Sequence, residues 1–469
     1  MTIKNINIED TIKQVKESME ADKSLSPVLR NLINVLILVI ELLSEKIGMN
    51  SSNSSLPPSS DRAKKKRGKD KKKRKKKTDK NPGGQPGHEG KTLEQYEDPD
   101  ETIEISIDRR TLPKNVAFKS GEVEKRQVIN LIVDFEITEY QAEVLLGDDG
   151  SRYVADFPAH INKAIQYGPS VKSLAVYMNN YQLIPYKRVK ELFRDQFGLD
   201  ISTGSLYNFN KEAYELLAPF ELDLLLKLKK ATVLYADETG ININNQLHWL
   251  HVLSTESLTF YYPHTKRGQE AIREMNVIPE YAGILCHDHW KPYLGFKCMH
   301  ALCNAHHLRE LEWVVEFKKQ KWAKSLIKFL TKLRDEVEEC GGELPKEIQI
   351  RREKRYNQII AAGKLECPII LPAKGSRKKR VAQTKERNLL DRLNNYIDQT
   401  LLFMKSKEVP FTNNQAERDL RMMKVHQKIS GQFKSMSGAK HFARIRSFLM
   451  TNKKKGHSPF GKLTEIFEN

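Results

Sequence analysis

Three acidic residues have the type and the setting to hold hard divalent cations. The stretch Thr232-Val233-Leu234-Tyr235-Ala236-Asp237-Glu238-Thr239-Gly240 reads as a short β-rich run that ends on a carboxylate, with Thr-Gly as a turn. Asp288 closes a second such run, Gly283 to Asp288, and Glu417 falls within Thr412-Asn413-Asn414-Gln415-Ala416-Glu417-Arg418. Oxygen ligands suit cations such as Mg²⁺, and a pair of such ions can clamp the attacking and leaving oxygens of a phosphodiester. Alternate side chains of a strand share a face, so Asp237 points with Val233 and Tyr235 and Glu238 points oppositely. Either acid could be the ligand. Thr412 and Gln415 are placed to form a capping box at the start of the helix carrying Glu417. Arg418 and Arg421, on the next turn, suit phosphate groups.

The elements that must carry these residues follow from pattern. Thr232–Asp237, His248–Leu253 and Leu258–Tyr262 predict three strands in an antiparallel meander, Gln269–Met275 a short helix, and Gly283–Asp288 and Lys297–Leu302 two further strands. That order is the order of a ribonuclease-H-like fold. Between Asp288 and Glu417 lie 128 residues, more than such a fold needs, and Leu308–Glu339 and Asn388–Met404 have the spacing of long amphipathic helices. A helical insertion is therefore expected.

At 469 residues the chain is too long for one core. Its net charge of +19 is concentrated: Arg62 to Lys80 holds fourteen Lys or Arg against two Asp, a net of +12. Such a block seeks a polyanion, most simply nucleic acid, through backbone phosphates and without sequence preference. Lys64, Lys65, Lys66, Arg67, Lys71, Lys72, Lys73 and Arg74 are its candidate contacts. Five scattered cysteines argue for a reducing cytosol rather than a disulfide framework. The apolar run Leu32–Leu43 is interrupted by Asn34 and Glu41 and reads as too short to span a bilayer. A soluble cytoplasmic protein, nucleoid-associated when bound to DNA, is expected.

Around the core the chain changes character repeatedly. Residues 1–49 predict helices broken at Ser26-Pro27, with Leu29, Leu32, Val35 or Leu36, Val39 and Leu43 forming one apolar stripe of coiled-coil type that would pair copies of the chain. Residues 50–91 read as a disordered linker, Ser/Pro-rich and then basic. Residues 92–160, where Ile103, Ile105 and Ile107 alternate with polar residues, predict a small β-rich domain. In residues 161–228, Tyr186–Phe197, Gly198 and a helix capped by Ser202 or Thr203 match a helix-turn-helix, with Ser205, Tyr207, Asn208 and Asn210 as candidates for base edges or phosphates. The catalytic core takes residues 229–307 and 410–430, the helical insertion 308–409, and a basic tail 431–469. The expected fold is thus multidomain α+β. Cys298, Cys303, His306 and His307 offer metal-ligand types at short spacing, but a buried Cys pair beside a helix start is the reading preferred, and zinc is not expected.

Four motifs occur in one order: Asn50 to Asp61, Pro82-Gly83-Gly84-Gln85-Pro86-Gly87-His88, Asp237-Glu238-Thr239, and Asn413-Asn414-Gln415-Ala416-Glu417-Arg418. Together they resemble the DDE transposases of the insertion-sequence sixty-six type. The resemblance implies that Asp237, Asp288 and Glu417 are the metal-binding catalytic triad, using Mg²⁺ or in its place Mn²⁺. It also implies DNA partners, namely element ends and target DNA, together with a homo-oligomer and accessory proteins of the same element. That family carries a cysteine-rich zinc module before the helical region, whereas Thr102–Asp156 holds no cysteine. A non-catalytic DNA-binding regulator derived from a transposase, and a structure-selective nuclease, are the other classes these features allow.

Overall fold

The computed structural model describes residues 2–3, 6–22, 24–49, 53, 95–119, 121–134, 136–372 and 381–468. It divides into two units, Lys64–Gln141 and Met1–Ala63 with Ala142–Asn469. The basic candidates Lys64, Lys65, Lys66, Arg67, Lys71, Lys72, Lys73 and Arg74 lie outside the described residues.

In the smaller unit the structure differs from the β-rich expectation. Its described residues contain no strand, only a 3₁₀ turn at Arg109–Thr111 capped by the Asp108 carboxylate. Ile103, Ile105, Ile107, Val128, Leu131 and Ile132 are exposed. Alternation marks a strand only when a ladder partner and a covering layer exist. Here the long-range bonds come from glutamine side chains, Gln127 exchanging two with the Tyr96 backbone at 2.8 and 2.7 Å. A short hairpin follows in the larger unit, β3 (Val144–Leu146) with β4 (Arg152–Val154).

The larger unit opens with a two-residue ladder, β1 (Thr2–Ile3) with β2 (Ile6–Asn7), then α1 (Ile8–Ala21) and α2 (Pro27–Gly48). Ser26 caps α2 through Leu29 N–H, and Pro27 takes the first helical position, where its missing N–H costs nothing. The Lys16–Glu41 ion pair, at 3.1 Å, and the buried Met19 and Ile37 belong to the hairpin of α1 and α2. The predicted stripe Leu29, Leu32, Leu36, Val39 and Leu43 is exposed. The apolar run is longer than expected: α2 over Pro27–Ser44 is long and apolar enough to cross a membrane by length and composition.

Five strands form the centre, in the order β7-β6-β5-β8-β9. These are β5 (Val233–Ile243), β6 (Gln246–Ser254), β7 (Thr259–His264), β8 (Ile284–His287) and β9 (Met299–Leu302). β5, β6 and β7 run antiparallel, whereas β8 pairs parallel with β5 and β9 parallel with β8. The expected turn at Thr239-Gly240 is not there: Thr239 pairs with Leu250 and Gly240 with Trp249. The chain reverses instead at Asn244-Asn245, with φ of 47° and 63°, the left-handed pair that a tight two-residue hairpin loop requires. Asp237 is therefore a mid-strand residue. Its neighbour on one side is β6, while the pairing with β8 ends at Tyr235 and Cys286.

One face of the sheet, with Tyr235, Ile241, Ile243, Leu250 and Val252, is covered by the inserted helices and by α13 (Asn414–Ser430). The other, with Leu234, Ala236, Leu253 and Phe260, packs on Leu224 and Leu228 of α6 (Ala218–Lys229) and Ile272 of α7 (Gln269–Glu274). The insertion runs α8 (Asn304–Trp313), α9 (Lys321–Glu339), α10 (Lys346–Glu366), α11 (Lys385–Asn395) and α12 (Ile397–Leu401). Trp322, Leu326, Leu330 and Leu333 of α9 bury in one cluster with Tyr356, Ile359 and Ile360 of α10. The single helix expected from Leu308 is broken by a π-turn at Val314–Lys318 and by Lys319 in the left-handed region.

The helices expected around Gly198 end and begin where the sequence signals direct. α4 (Tyr186–Phe197) ends on Gly198 at φ 66°, and Ser202 caps α5 (Thr203–Leu216) by accepting from Ser205 N–H. Both helices pack on α3 (Pro169–Asn180) through Val176, Val189, Phe193, Leu206 and Phe209. Asn210 does not face outward: it is buried, and its amide donates to the Leu206 carbonyl. Residues 431–469 are likewise not a tail. α14 (Met436–Lys454) and α15 (Pro459–Glu468) bring Ile445, Phe448, Leu449 and Leu463 into the core of α3–α5. α14 also covers the edge strand β7, where Ser447 and Thr451, one turn apart, accept from the N–H groups of Tyr261 and Thr259 at 2.9 and 3.1 Å. An edge with its donors satisfied in this way cannot recruit another strand.

Candidate metal centre

Asp237 leaves β5 on the face that carries Tyr235 and α13, just past the point where β8 ends. Its Oδ1 accepts from Glu238 N–H at 2.9 Å. Asp288 follows the last residue of β8, and its Oδ1 accepts from Trp290 N–H at 2.9 Å, which fixes the turn. Glu417 stands in the first turn of α13, where the helix dipole favours a carboxylate.

α13 is held in place by side chains rather than by the expected capping box. Asn413, the N-cap residue, makes no side-chain cap bond; its amide donates to the Ala236 carbonyl at 2.8 Å, tying the helix start to the residue before Asp237. The Asn413 N–H in turn donates to Cys303 Sγ at 3.1 Å. Two residues beyond Glu417, buried Asp419 pairs with Lys454 of α14 at 2.7 Å, and Tyr261 donates to the Asp419 carbonyl at 2.8 Å. β5, β7, α8 and α14 thus all constrain the position of Glu417.

Electrostatics link the three acids. The Asp237 carboxyl is pushed well above the usual carboxylate range, first by burial and then by the charges of Glu238, Asp288 and Glu417. Like charges brought together out of water resist ionisation, and a cation among them reverses that cost. Glu238, on the opposite face with a side chain only 2% exposed, is engaged otherwise: Arg267 donates to it at 2.8 Å through Nε and Tyr293 through its hydroxyl at 2.7 Å. Burial, followed by the Asp288 charge, still raises its carboxyl. Arg267 lies between the rings of Trp249 and Trp290, 4.8 and 4.3 Å from their centroids.

Around Glu417 the insertion contributes groups that the carboxylate pattern did not point to. His306 Nδ1 lies 3.8 Å from Glu417 Oε1 and Arg309 Nη2 lies 3.9 Å from Oε2. The sequence shows only that His306 and Arg309, three apart on α8, share a face, and not that this face meets Glu417. Glu310 pairs with Arg392 of α11, and His289 stacks on His307 with centroids 5.7 Å apart. Burial, then Arg392 and His306, pushes His289 down to about 3, so it is neutral at ordinary pH. Lys424, two turns along α13, lies within reach of the Asp237 charge.

Among the DNA-binding candidates, Arg418 and Arg421 are exposed on α13, with Arg418 donating to Gln415 at 2.8 Å. Asn208 is exposed on α5, and the Tyr207 hydroxyl lies 3.2 Å from Ser437 of α14. Of the four cysteine and histidine candidates for zinc, Cys303 and His306 approach Glu417, while Cys298 sits 3.9 Å from His300.

The mixed α/β core thus carries Asp237 in β5 and Asp288 just after β8, with Glu417 at the start of α13, and α4 and α5 precede that core in the chain. A family model described as Transposase IS66 family matches residues 164–441, more than half of the chain, and the chain belongs to that family. A second model, of a family of unknown function (DUF6444), matches residues 5–94. No curated protein matches the chain. Membership supports a transposase role with DNA as its partner, and DDE transposases generally use divalent metals.

Proposed function

We propose that the protein is an active DNA transposase that cuts the ends of its own element and joins the freed 3′-hydroxyls to target DNA. What supports this reading most is placement: Asp237 lies just past the β5–β8 pairing, Asp288 follows β8, and Asn413 ties the start of the helix carrying Glu417 to Ala236, with the Asp288 and Glu417 charges both raising the buried Asp237 carboxyl. The strand order, three antiparallel and two parallel, supports a ribonuclease-H-like core. The acids suit hard cations: a carboxyl pushed up by its acidic neighbours, and a buried Glu417 Oε1 without a hydrogen-bond partner, both gain from a cation between them. Two Mg²⁺ ions bound there would supply an activated water and charge compensation for in-line displacement at phosphorus.

The chain's own residues do the rest. Asp237 and Asp288 approach from the sheet and Glu417 from α13, which Asn413, Tyr261 and Lys454 hold rigid. Arg418 and Arg421 project from α13 toward solvent, placed to grip phosphates on either side of the scissile bond. In this reading Tyr207 and Asn208 of α5 contact the element end, and the basic block Arg62–Lys80 adds salt-sensitive affinity. The exposed stripe of α2 pairs two copies so that both ends are handled together, in the cytoplasm and on the nucleoid. Accessory proteins of the element would be further partners.

Incubating the protein and Mg²⁺ with DNA carrying its own flanking ends tests the proposal. Joined products are expected. Cuts without joining would reduce the activity to that of a nuclease, and a shifted but intact band would leave a DNA-binding regulator.

A further inference from the structure

We propose that Cys303, His306 and Glu417 form a second kind of metal site, one for a thiophilic divalent ion such as Zn²⁺, which draws Glu417 away from Asp237 and Asp288. A Cys Sγ, an imidazole nitrogen and a carboxylate oxygen from these three residues lie within 4.8 Å of one another. Closing around an ion with bonds of about 2.0–2.3 Å asks only small rotamer adjustments of side chains already facing one point.

Several independent features suit the site to metal. His306 Nδ1 and Glu417 Oε1 are both buried without a hydrogen-bond partner, so each has an unused ligand position aimed at the other across 3.8 Å. The Cys303 sulfur already accepts the Asn413 N–H at 3.1 Å, the type of outer bond that steadies a metal-bound thiolate. Cys303 and His306 are three residues apart at the start of α8, a short ligand spacing. Arg309 reaches Glu417 at 3.9 Å from Oε2 and leaves Oε1 without a hydrogen bond.

Ligand chemistry separates this site from the carboxylate centre. One sulfur and one nitrogen select Zn²⁺ over Mg²⁺, whereas Asp237 and Asp288 offer only oxygen. Three protein ligands leave a fourth position for water. Because Glu417 belongs to both sets, occupancy of one withholds it from the other. The binding stands on these three side chains, but its effect on activity rests on the transposase reading above.

Co²⁺ added to the full-length protein without DNA provides the probe. The expected result is a thiolate-to-cobalt charge-transfer band in the near ultraviolet with intense tetrahedral bands in the visible. Zn²⁺ should bleach both, and a large excess of Mg²⁺ should not. The Cys303→Ser protein should lose the charge-transfer band and the Cys298→Ser protein should keep it. Should Cys303→Ser fail to fold, as judged by circular dichroism, His306→Gln takes its place and should weaken Co²⁺ binding at least tenfold. No charge-transfer band in the parent, a band retained by folded Cys303→Ser, or unchanged affinity in His306→Gln would each overturn the proposal. In the joining reaction with Mg²⁺, micromolar Zn²⁺ should inhibit the parent, and a parent that joins DNA equally well with Zn²⁺ present would refute the competition. A parent that joins nothing under any condition would count against the transposase reading, while the cobalt spectrum would still decide the metal site.

Discussion

Asp237→Asn is expected to raise the melting temperature of the metal-free protein at neutral pH while abolishing DNA cleavage and joining. The native Asp237 carboxyl is raised by burial and then by Glu238, Asp288 and Glu417, so the folded chain binds its proton more tightly than the unfolded chain, which titrates near 3.9. As pH rises through the unfolded value the unfolded chain ionises first, and stability falls until the folded group has ionised too. Above that point the penalty is complete. Below about pH 4 both states hold the proton and the penalty vanishes. Asparagine removes the charge and keeps an oxygen to accept the Glu238 N–H, so the gain should be absent in acid and grow toward neutrality. Mg²⁺ should reverse the ranking: a ligand at a hundred times its Kd stabilises the parent by about 2.7 kcal/mol, and the variant should gain little. Melting curves from pH 4 to 8, in chelator and in Mg²⁺, check this. Identical melting of the two proteins at every pH in chelator would contradict it.

Glu417→Gln should leave folding and DNA affinity intact and lower cleavage and strand transfer by roughly three orders of magnitude, the scale of losing one main element of transition-state charge stabilisation. The fold should tolerate it because the nearest basic side chains, His306 and Arg309, lie 3.8 and 3.9 Å away and no short hydrogen bond is lost. The helix-dipole contribution forfeited is only about 0.3–1 kcal/mol. Glu338→Gln and Glu339→Gln, at exposed positions on α9, should cut and join as the parent does. The comparison needs Mn²⁺ as well as Mg²⁺, since a more tightly held ion can mask a missing ligand. A Glu417→Gln protein that joins DNA at the parental rate in both metals would remove this residue from the active site.

The strands of the core were legible because each is a short apolar run bounded by turn residues, and the helices α4 and α5 because Gly198 and Ser202 signal an end and a start. Asp237 was misplaced to a strand end because Thr239-Gly240 looks like a turn; the stronger signal, Asn244-Asn245 five residues on, marks the true one. The basic composition beyond residue 431 concealed the spacing of Phe442, Ile445, Phe448 and Leu449, which is that of a buried helix. Alternation at Ile103, Ile105 and Ile107 pointed to strands that have no partner to pair with among the described residues. The approach of Cys303 and His306 to Glu417 was not readable at all. It joins residues more than a hundred apart, and depends on Asn413 bridging α13 to β5 and Cys303.

Iron-directed backbone cleavage tests the central claim most directly. Fe²⁺ occupies Mg²⁺ sites, and with ascorbate and peroxide it cuts the polypeptide next to its ligands. If Asp237, Asp288 and Glu417 share one centre, cuts should cluster near all three, fade together as Mg²⁺ is added, and disappear together in Asp237→Asn. Cuts confined to the neighbourhood of Glu417 and Cys303, or cuts near Asp237 and Asp288 that Mg²⁺ does not suppress, would contradict a shared carboxylate centre.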